Sequence, residues 1–281
     1  MSRRWQQVRH QLRRNRPAQF SLFVLFIFVV AALCAGLSPY DPDRMSLGAR
    51  TLPPSAAHWF GTDEYGRDYF TRALYGGQIS LMVGFLAMLF STLIGTVVGT
   101  VSGYFGGWLD NLMMRAVDIL MAIPAFFLLL VVNAYLKPGV DNIILIISLL
   151  TWMNMSRLVR AETLSVKERE YVLYARASGE HPLRIIVRHI IPGVLPTIIV
   201  AATLNIASAI LMESTLSFLG LGVQAPAASW GSMLNNAQSY IGEASWLAMF
   251  PGILILLTVF SFNVLGDVFR TAFEPGANRD E

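Results

Sequence analysis

The chain has 281 residues, of which 54% are hydrophobic and only 14% are charged, and its formal net charge is +3. Soluble globular chains carry roughly 25% charged residues, so this composition excludes an ordinary soluble domain and indicates a protein embedded in a lipid bilayer. The single cysteine, Cys34, excludes a disulfide framework or thiolate metal cluster within the chain. The four histidines are scattered without a His-Glu-x-x-His spacing, so no metal site is predicted.

The N-terminal region has a basic segment followed by an apolar one. Residues 1–19 contain six arginines and no acidic residue, and residues 20–37 form an uninterrupted apolar run. A signal peptide is disfavoured because this run exceeds the usual apolar region of about 7–15 residues and because further hydrophobic runs follow. We interpret residues 1–19 as a cytoplasmic segment, residues 20–38 as the first transmembrane helix and residues 39–78 as an extracytoplasmic loop.

Five further apolar stretches predict an all-α integral membrane protein with about six transmembrane helices. Each stretch is long enough for a hydrocarbon core of ~30 Å at about 1.5 Å per residue. Pro124 is expected to kink the third span. The five helices form a core over residues 79–268, and a cytoplasmic tail follows over residues 269–281. The second to sixth spans are predicted near residues 79–104, 112–136, 142–159, 193–212 and 246–268.

The distribution of basic residues predicts the orientation of the spans. If the N terminus is cytoplasmic, segments 1–19, 105–115, 157–192 and 269–281 lie inside and hold 16 of the 21 lysines and arginines. Because cytoplasmic loops accumulate such residues, both termini are predicted to be cytoplasmic. The chain is therefore predicted to be a multi-pass protein of the cell (inner) membrane.

Gly95, Gly99 and Gly103 form a small-residue strip on the second span. Their spacing of four residues places them on one helix face, which lets another helix backbone approach closely. General enrichment of glycine in membrane helices is the alternative interpretation.

The loop between the fourth and fifth spans, near residues 160–192, is too polar to span the membrane and too patterned for a slack linker. Residues 167–170 (KERE) form a mixed-charge surface. Opposite them, one helical face of modest size is predicted from residues spaced at i, i+3, i+4 and i+7. These residues are Tyr171, Tyr174, Ala175 and Ser178.

A tight turn is predicted after this helix. Gly179 suits a left-handed C-cap, and Pro182, after His181, suits the first position of a new helix. The pattern predicts a helix, a turn and a short helix at the inner membrane face. Such a stiff pair could dock into a partner protein, or it could rest on the membrane surface.

This loop resembles the EAA loop of binding-protein-dependent ABC permeases. Residues 174–179 (YARASG) and 188–192 (RHIIP) carry the likeness, with Ala175 and Gly179 at motif positions. Leu173 and Tyr174 depart from the first two residues of the motif.

Two other segments are similar to the peptide/nickel branch of that family, and the resemblance is greatest to the "C" permeases of its dipeptide, oligopeptide and nickel transporters. Residues 60–68 (FGTDEYGRD) resemble the branch signature Gly-Thr-Asp-x-x-Gly-Arg-Asp, and residues 216–222 (LSFLGLG) with 229–231 (SWG) resemble its segment after the fifth span. The three motifs occur in order and at matching topological places, so the resemblance covers nearly the whole chain.

The resemblance implies a type I ABC importer permease fold and a set of partners. These are a homologous second permease, two cytoplasmic ABC ATPases, an extracytoplasmic substrate-binding protein and membrane lipid; no nucleic acid is implied. In the family, the loop inserts into an ATPase groove as a coupling helix. The residues assigned to ATPase coupling on this basis are Tyr171, Tyr174, Ala175, Ala177, Gly179, His181, Pro182 and Arg184.

The chain itself is predicted to be non-catalytic and to bind no cofactor. A phosphate-binding P-loop needs a lysine after a glycine-rich stretch, and the two lysines, Lys137 and Lys167, follow Leu136 and Val166 instead. ATP and Mg²⁺ are therefore expected in the partner ATPase subunits.

Polar residues near the spans are candidates for the pathway, because such groups usually face a cavity or each other. Asn205, Glu213 and Asn263 are the candidates for lining or gating it. For Glu213, a structural hydrogen bond to the following loop is the favoured alternative. Arg115 and Asp118, one turn apart, are expected to pair at the inner end of the third span.

The segment before the second span is predicted to be structural. Asp63, Arg67 and Asp68 are charged enough to form an ion-pair network that caps this span, and Gly61 and Gly66 complete the motif. A substrate-binding role is the less favoured interpretation.

The leading functional hypothesis is the permease half of a di- or oligopeptide importer. The same architecture could import nickel, metal-opine chelates, glutathione or another small solute. A channel or carrier independent of an ATPase is the alternative from another class. A membrane enzyme is disfavoured, because no Gly-x-Ser-x-Gly or His-Glu-x-x-His stretch occurs.

Overall fold

The computed structural model describes residues 2–135 and 139–273 of the protein. The end of the predicted third span, Lys137 and residues 274–281 of the predicted tail lie outside these ranges. The described chain is helical, and it contains no β-strand in those ranges. The helices are α1 (Ser2–Arg14), α2 (Arg16–Leu33), α3 (Tyr69–Phe105), α4 (Gly107–Ala122), α5 (Ala125–Tyr135), α6 (Val140–Val166), α7 (Glu170–Ala177), α8 (Pro182–Ile185), α9 (Ile191–Phe218), α10 (Trp230–Ala237) and α11 (Trp246–Phe273).

Five helical segments of the described chain are long and apolar enough to cross a bilayer. They are α2, α3, α6, α11 and the continuous run Pro182–Phe218, which joins α8 to α9. The shortest, α2, has 18 residues, which corresponds to about 27 Å of helix. The longest have 37 residues and must extend beyond a hydrocarbon core of ~30 Å.

The predicted third span is not a single kinked helix. Helix α4 ends at Ala122, Ile123 is extended, and α5 begins after Pro124. Proline lacks an N–H, and its ring disfavours helical backbone at the preceding residue, so the helix stops there. Five uninterrupted spanning helices are therefore found in the described residues, and α4 with α5 forms a divided crossing that returns the chain from the end of α3 to the start of α6.

The bundle has two ends. At what we call the loop end, segment 39–68 and α10 pack on the first turns of α3, and the Tyr69 hydroxyl donates to the Leu247 carbonyl of α11 over 2.6 Å. At what we call the elbow end, Lys167 Nζ donates to the Gly103 carbonyl over 3.0 Å. These contacts tie α3 to α11 at one end and to the turn after α6 at the other.

The glycine strip of the second span contacts α6 directly, which confirms the predicted close approach. A Cβ atom at Gly95 would lie 2.6 Å from Met155 Cβ, and one at Gly99 would lie 2.6 Å from the Ser156 carbonyl oxygen. Because real Cβ atoms do not approach so closely, a side chain at either glycine would separate the helices. The α3–α6 pair therefore depends on these positions having no side chain.

The charged segment before α3 forms a buried ion-pair network, as its sequence predicts. Asp63 Oδ2 lies 2.6 Å from Arg67 Nε and 3.6 Å from Arg72 Nε. Asp68 caps α3 by accepting from the Thr71 backbone N–H over 2.7 Å, and its other oxygen lies 2.8 Å from His58 Nδ1. The network thus fixes the first turn of α3 to the loop.

Backbone geometry explains the two glycines of this segment. Gly61 and Gly66 have φ angles of +76° and +74°. A Cβ atom at these positions would lie 2.4 Å from the Leu52 carbonyl oxygen and 1.9 Å from the Ser46 carbonyl oxygen, respectively. Only glycine fits both the conformation and the space.

Candidate functional site: a surface elbow and a buried polar cluster

The segment between α6 and α9, which we call the elbow (residues 167–190), turns the chain twice at one end of the bundle. Helix α6 ends at Val166, and α7 begins at Glu170 after Arg169 adopts an extended conformation. A second turn leads through α8 to α9. Both ends of the elbow are therefore continuous with long spans.

Helix α7 is anchored by one apolar side chain. Val172 is 1% exposed and packs in a cluster with residues of α6 and α9, and Ala175 packs at the edge of this cluster. Of the predicted face, Tyr171, Tyr174 and Ser178 are exposed and Ala175 is half-buried. A helix of two turns is too short for spacing alone to select its buried side.

The turn after α7 has the predicted glycine cap. Gly179 has a φ of +75°, its N–H donates to the Arg176 carbonyl, and the Glu180 N–H donates to the Ala175 carbonyl, both over 3.1 Å. This pair of bonds is the Schellman arrangement. The sequence prediction of a left-handed C-cap at Gly179 is confirmed.

The helix that follows the turn also begins as predicted. His181 is its N-cap, with Nδ1 accepting from the Leu183 N–H over 3.3 Å, and Pro182 occupies the first turn. The four residues of α8 continue through a π turn, Ile186–Ile190, into α9. The second short helix of the prediction is thus the first turn of a long span.

A polar contact crosses the elbow. His189 Nε2, in the π turn, lies 3.0 Å from Glu180 Oε2, and both side chains are mostly buried. The ring of Tyr171 in α7 lies 6.4 Å from the His189 ring. The elbow is therefore held by a directed contact as well as by its apolar cluster.

The outer surface of the elbow is exposed and partly apolar. Tyr174 is 73% exposed, and Leu183 and Val187 are also open to the surroundings. The remaining residues assigned to coupling, Ala177 and Arg184, are exposed too, whereas Pro182 is half-buried. Most of the residues assigned to coupling are therefore accessible from outside the subunit.

The buried carboxylate Glu213 lies in a cluster of hydroxyl groups. It is completely buried near the end of α9, where it accepts from Ser80 Oγ of α3 over 3.0 Å and from Ser217 Oγ over 2.7 Å. Ser217 Oγ in turn accepts from the Val223 N–H in the following loop. Glu213 therefore links α3, α9 and this loop, and its side chain is enclosed by protein in this conformation.

The other polar candidates are separate from this cluster. Asn205 is half-buried on α9, and Asn263 is exposed on α11. The expected partner of Asp118 is wrong, because Asp118 pairs with Arg157 of α6 rather than with Arg115. Helix α4 lies beside α6, which brings Asp118 close to Arg157. The pairing therefore depends on the contact between the two helices and not on spacing in the sequence.

Sequence reasoning missed an ion pair between α4 and α6. Arg160 donates to Asp110 through Nε and Nη2, both over 2.6 Å, and Ser102 also donates to Asp110. The partners are 50 residues apart, and no local spacing indicates the pair. It fixes the start of α4 beside the elbow end of α6.

Burial affects a further acid in the loop network. Desolvation raises the pKa of Glu64, outweighing the nearby cationic side chains of Arg67 and Arg72. Glu64 lies 3.6 Å from Arg67 Nη2, farther than Asp63 from the same guanidinium. Asp63 is therefore the main anionic partner in the network.

The described residues contain no group of three or more histidine, cysteine or acidic side chains arranged to hold a metal ion.

Two family comparisons cover most of the chain. Residues 95–279 match the family described as binding-protein-dependent transport system inner membrane component. Residues 3–54 match the N-terminal TM domain of oligopeptide transport permease C.

Named relatives match over nearly the full length. The dipeptide transport system permease protein DppC of Bacillus subtilis (strain 168) is 44% identical over 271 residues, which cover 96% of this chain and 85% of that protein. The oligopeptide transport system permease protein OppC of the same organism is 38% identical, with coverages of 96% and 89%. The glutathione transport system permease protein GsiD of Shigella flexneri serotype 5b (strain 8401) is 42% identical, with coverages of 96% and 90%.

The fold also has a solved counterpart. A chain of the inward-facing MetNI methionine ABC transporter superposes with a TM-score of 0.61, covering 72% of this chain and 97% of that chain at 20% identity. This likeness concerns the fold alone. Together with the family matches and the membrane-spanning helices, it leads to one assignment: the chain belongs to the family of binding-protein-dependent transport system inner membrane components, as a multi-pass permease of the ABC importer class.

Proposed function

We propose that this protein forms half of the translocation pathway of an ATP-driven importer of di- and oligopeptides. The other half would come from a homologous second permease. Two cytoplasmic ATPase subunits would bind ATP and Mg²⁺, and an extracytoplasmic binding protein would deliver the peptide. The peptide substrate is supported by the dipeptide and oligopeptide permeases among the relatives.

The exposed elbow is the observation that carries this proposal. Helix α7 projects Tyr174 outward while Val172 anchors it to the cluster shared by α6 and α9. A docking protein that displaces α7 would therefore act on two spans together. Nucleotide binding can shift such an assembly only through different affinities for its two states.

The orientation of the proposal follows from charge. Residues 157–192 carry seven basic residues and residues 1–19 carry six, and the helix directions place both segments at the elbow end. Cytoplasmic loops accumulate such residues. We therefore assign the elbow end, with both termini, to the cytoplasm and the loop end to the outer side.

The three predicted pathway residues differ in how accessible their side chains are. Asn205 and Asn263 have side chains accessible from the surface of the isolated chain, and they are the candidates for direct contact with the peptide. Glu213 is enclosed by Ser80 and Ser217, so we assign it a structural role in joining α3 to α9 near the loop end.

Transport by the reconstituted assembly tests the substrate. Proteoliposomes with both permeases, the ATPases and the binding protein should accumulate radiolabelled dipeptide in the presence of ATP. Glutathione is the second candidate, because GsiD is about as similar to this chain as DppC. Uptake of glutathione or nickel but not of dipeptide would overturn the peptide assignment, and uptake by this chain without ATPases would overturn the importer itself.

Photo-crosslinking tests the docking of the elbow. A benzophenone amino acid in place of Tyr174 should capture an ATPase subunit, since this side chain is 73% exposed on α7. The same replacement at Leu256, 64% exposed in the middle of α11, should not. Capture from Leu256 alone would contradict the proposed docking surface.

We expect Gly179→Val to uncouple ATP hydrolysis from peptide uptake. The φ of +75° costs a β-branched residue about 1–2 kcal/mol, whereas no neighbouring atom lies within 4 Å of the added Cβ. The strain therefore acts through the turn alone, and uptake per ATP should fall by about tenfold, the factor equivalent to 1.4 kcal/mol. Gly179→Asn, which tolerates this conformation, is the control, and normal uptake by the valine variant would count against a coupling role for the elbow.

A further inference from the structure

The elbow contains a polar contact that joins its two halves across the Gly179 turn. Glu180 stands directly after the cap of α7, and His189 stands in the π turn before α9. Their side chains meet at 3.0 Å, between Oε2 and Nε2. The short helix α8 lies between them in the chain, so the contact closes a small loop around it.

The backbone of this loop has weak points at both ends. The Gly179 turn has a left-handed residue, and the π turn at Ile186–Ile190 breaks the regular α-helical hydrogen-bond pattern. Helix α8 has only four residues. Without a second connection, a displacement of α7 could be absorbed by bending at either place.

The apolar cluster does not supply a directed connection. Val172 belongs to the same buried cluster as Ile185 and Ile190, but apolar contacts are non-directional and packed helices can slide past each other in shear. A hydrogen bond between a carboxylate and an imidazole has a defined geometry and is strengthened by charge. It resists the sliding that the cluster permits.

We propose that Glu180 and His189 form a brace that makes residues 180–189 move as one body with α7. The inference rests on the proposed function, in which α7 docks to an ATPase. The brace delivers the displacement of α7 to the start of α9, where Pro192 and Pro196 interrupt backbone hydrogen bonding. Glu180 and His189 are thus positioning residues, and neither needs to touch nucleotide or peptide.

The surroundings of the brace support a positioning role. Tyr171 approaches His189 from α7, with ring centroids 6.4 Å apart. A Cβ atom at Gly193 of α9 would lie 3.2 Å from the Tyr171 hydroxyl. Arg184 Nε also lies 4.0 Å from Glu180 Oε1, and this side chain is 70% exposed. Helix α7, the turn and the start of α9 therefore converge on this contact.

The test measures coupling in the complete reconstituted importer. Glu180→Ala and His189→Ala should each lower the peptide imported per ATP hydrolysed by about tenfold, the scale of one lost charge-assisted hydrogen bond. The double variant should be no worse than either single one, because both remove the same contact. The exchanged pair, Glu180→His with His189→Glu, should recover much of the coupling.

Matched controls lie outside the elbow. His10→Ala on α1 and Asp267→Ala on α11 remove an imidazole and a carboxylate at exposed positions and should leave the coupling ratio near that of the wild type. Co-purification of the ATPases and thermal stability of each variant are measured in parallel. A structural role would lower these values together with uptake, whereas a brace lowers the ratio alone.

The possible results distinguish a failure of the brace from a failure of the proposed function. An unchanged ratio in both single variants, additive losses in the double variant, or no recovery in the exchanged pair would overturn the brace while leaving the importer assignment intact. Loss of bound ATPase in the single variants would also overturn it, by placing these residues in the docking surface. A wild-type elbow that binds no ATPase would instead refute the proposed function on which the brace depends.

Discussion

Replacing Asp63 by alanine is expected to destabilise the folded permease by about 3–5 kcal/mol, the range for breaking a buried ion pair. Asp63 is 1% exposed and faces Arg67 and Arg72, which are also buried. Asp63 Oδ2 faces these guanidinium groups, whereas Oδ1 accepts from the backbone N–H groups of Tyr65 and Arg67, both over 2.9 Å. The variant would leave these N–H donors without their acceptor, and the buried guanidinium groups would keep only weaker anionic contacts, Arg67 with Glu64 at 3.6 Å and Arg72 with the exposed Asp43 at 3.1 Å.

Thermal unfolding of the purified protein in nanodiscs measures this effect, together with its abundance in the membrane. Glu64→Gln is the matched control: burial raises the pKa of Glu64, so its charge is already disfavoured and its loss should matter much less. A loss below about 1 kcal/mol for Asp63→Ala, as expected for a surface ion pair, would show that the network does not hold the loop.

The second large effect is expected from Gly99→Val in the seam between α3 and α6. The new Cβ would lie 2.6 Å from the Ser156 carbonyl oxygen and 2.9 Å from the Arg160 amide nitrogen. Because both are backbone atoms, the helices must separate, at a cost of about 1–3 kcal/mol or more. Separation would also weaken the bond from Lys167 to the Gly103 carbonyl.

Chemical denaturation and the distance between spin labels on α3 and α6 together measure this change. Gly252→Val on α11 serves as the control, because no atom lies within 4 Å of a Cβ at that position. Equal stability of the Gly99 and Gly252 variants would contradict the close seam.

The features that the sequence predicted are those set by local pattern. Long apolar runs predicted the spanning helices, and the four-residue spacing of Gly95, Gly99 and Gly103 predicted a close approach because one turn of helix fixes their common face. The turn at Gly179 and the start at Pro182 followed from the backbone preferences of single residues.

The features that it did not predict depend on tertiary contacts. Pro124 could kink a helix or end it, and the result depends on whether neighbours re-satisfy the freed backbone groups. The face predicted for α7 did not include Val172, which is the residue that the cluster around Ile185 accommodates. The Asp110–Arg160 pair and the Ser80–Glu213 bond join residues far apart in the chain, which no local spacing records.

The divided crossing formed by α4 and α5 has a consequence for how this subunit sits among its neighbours. The interruption at Ile123 and Pro124 comes after 16 residues of α4, about 24 Å from the elbow end if the helix stands upright, which is within hydrocarbon depth. The last carbonyl groups of a helix lack intrahelical acceptor bonds, and each one left facing acyl chains would cost several kcal/mol. Residues 122–125 are exposed in the isolated subunit, so in the bilayer this flank has to be turned towards another polypeptide or a hydrated channel and away from fatty-acid tails.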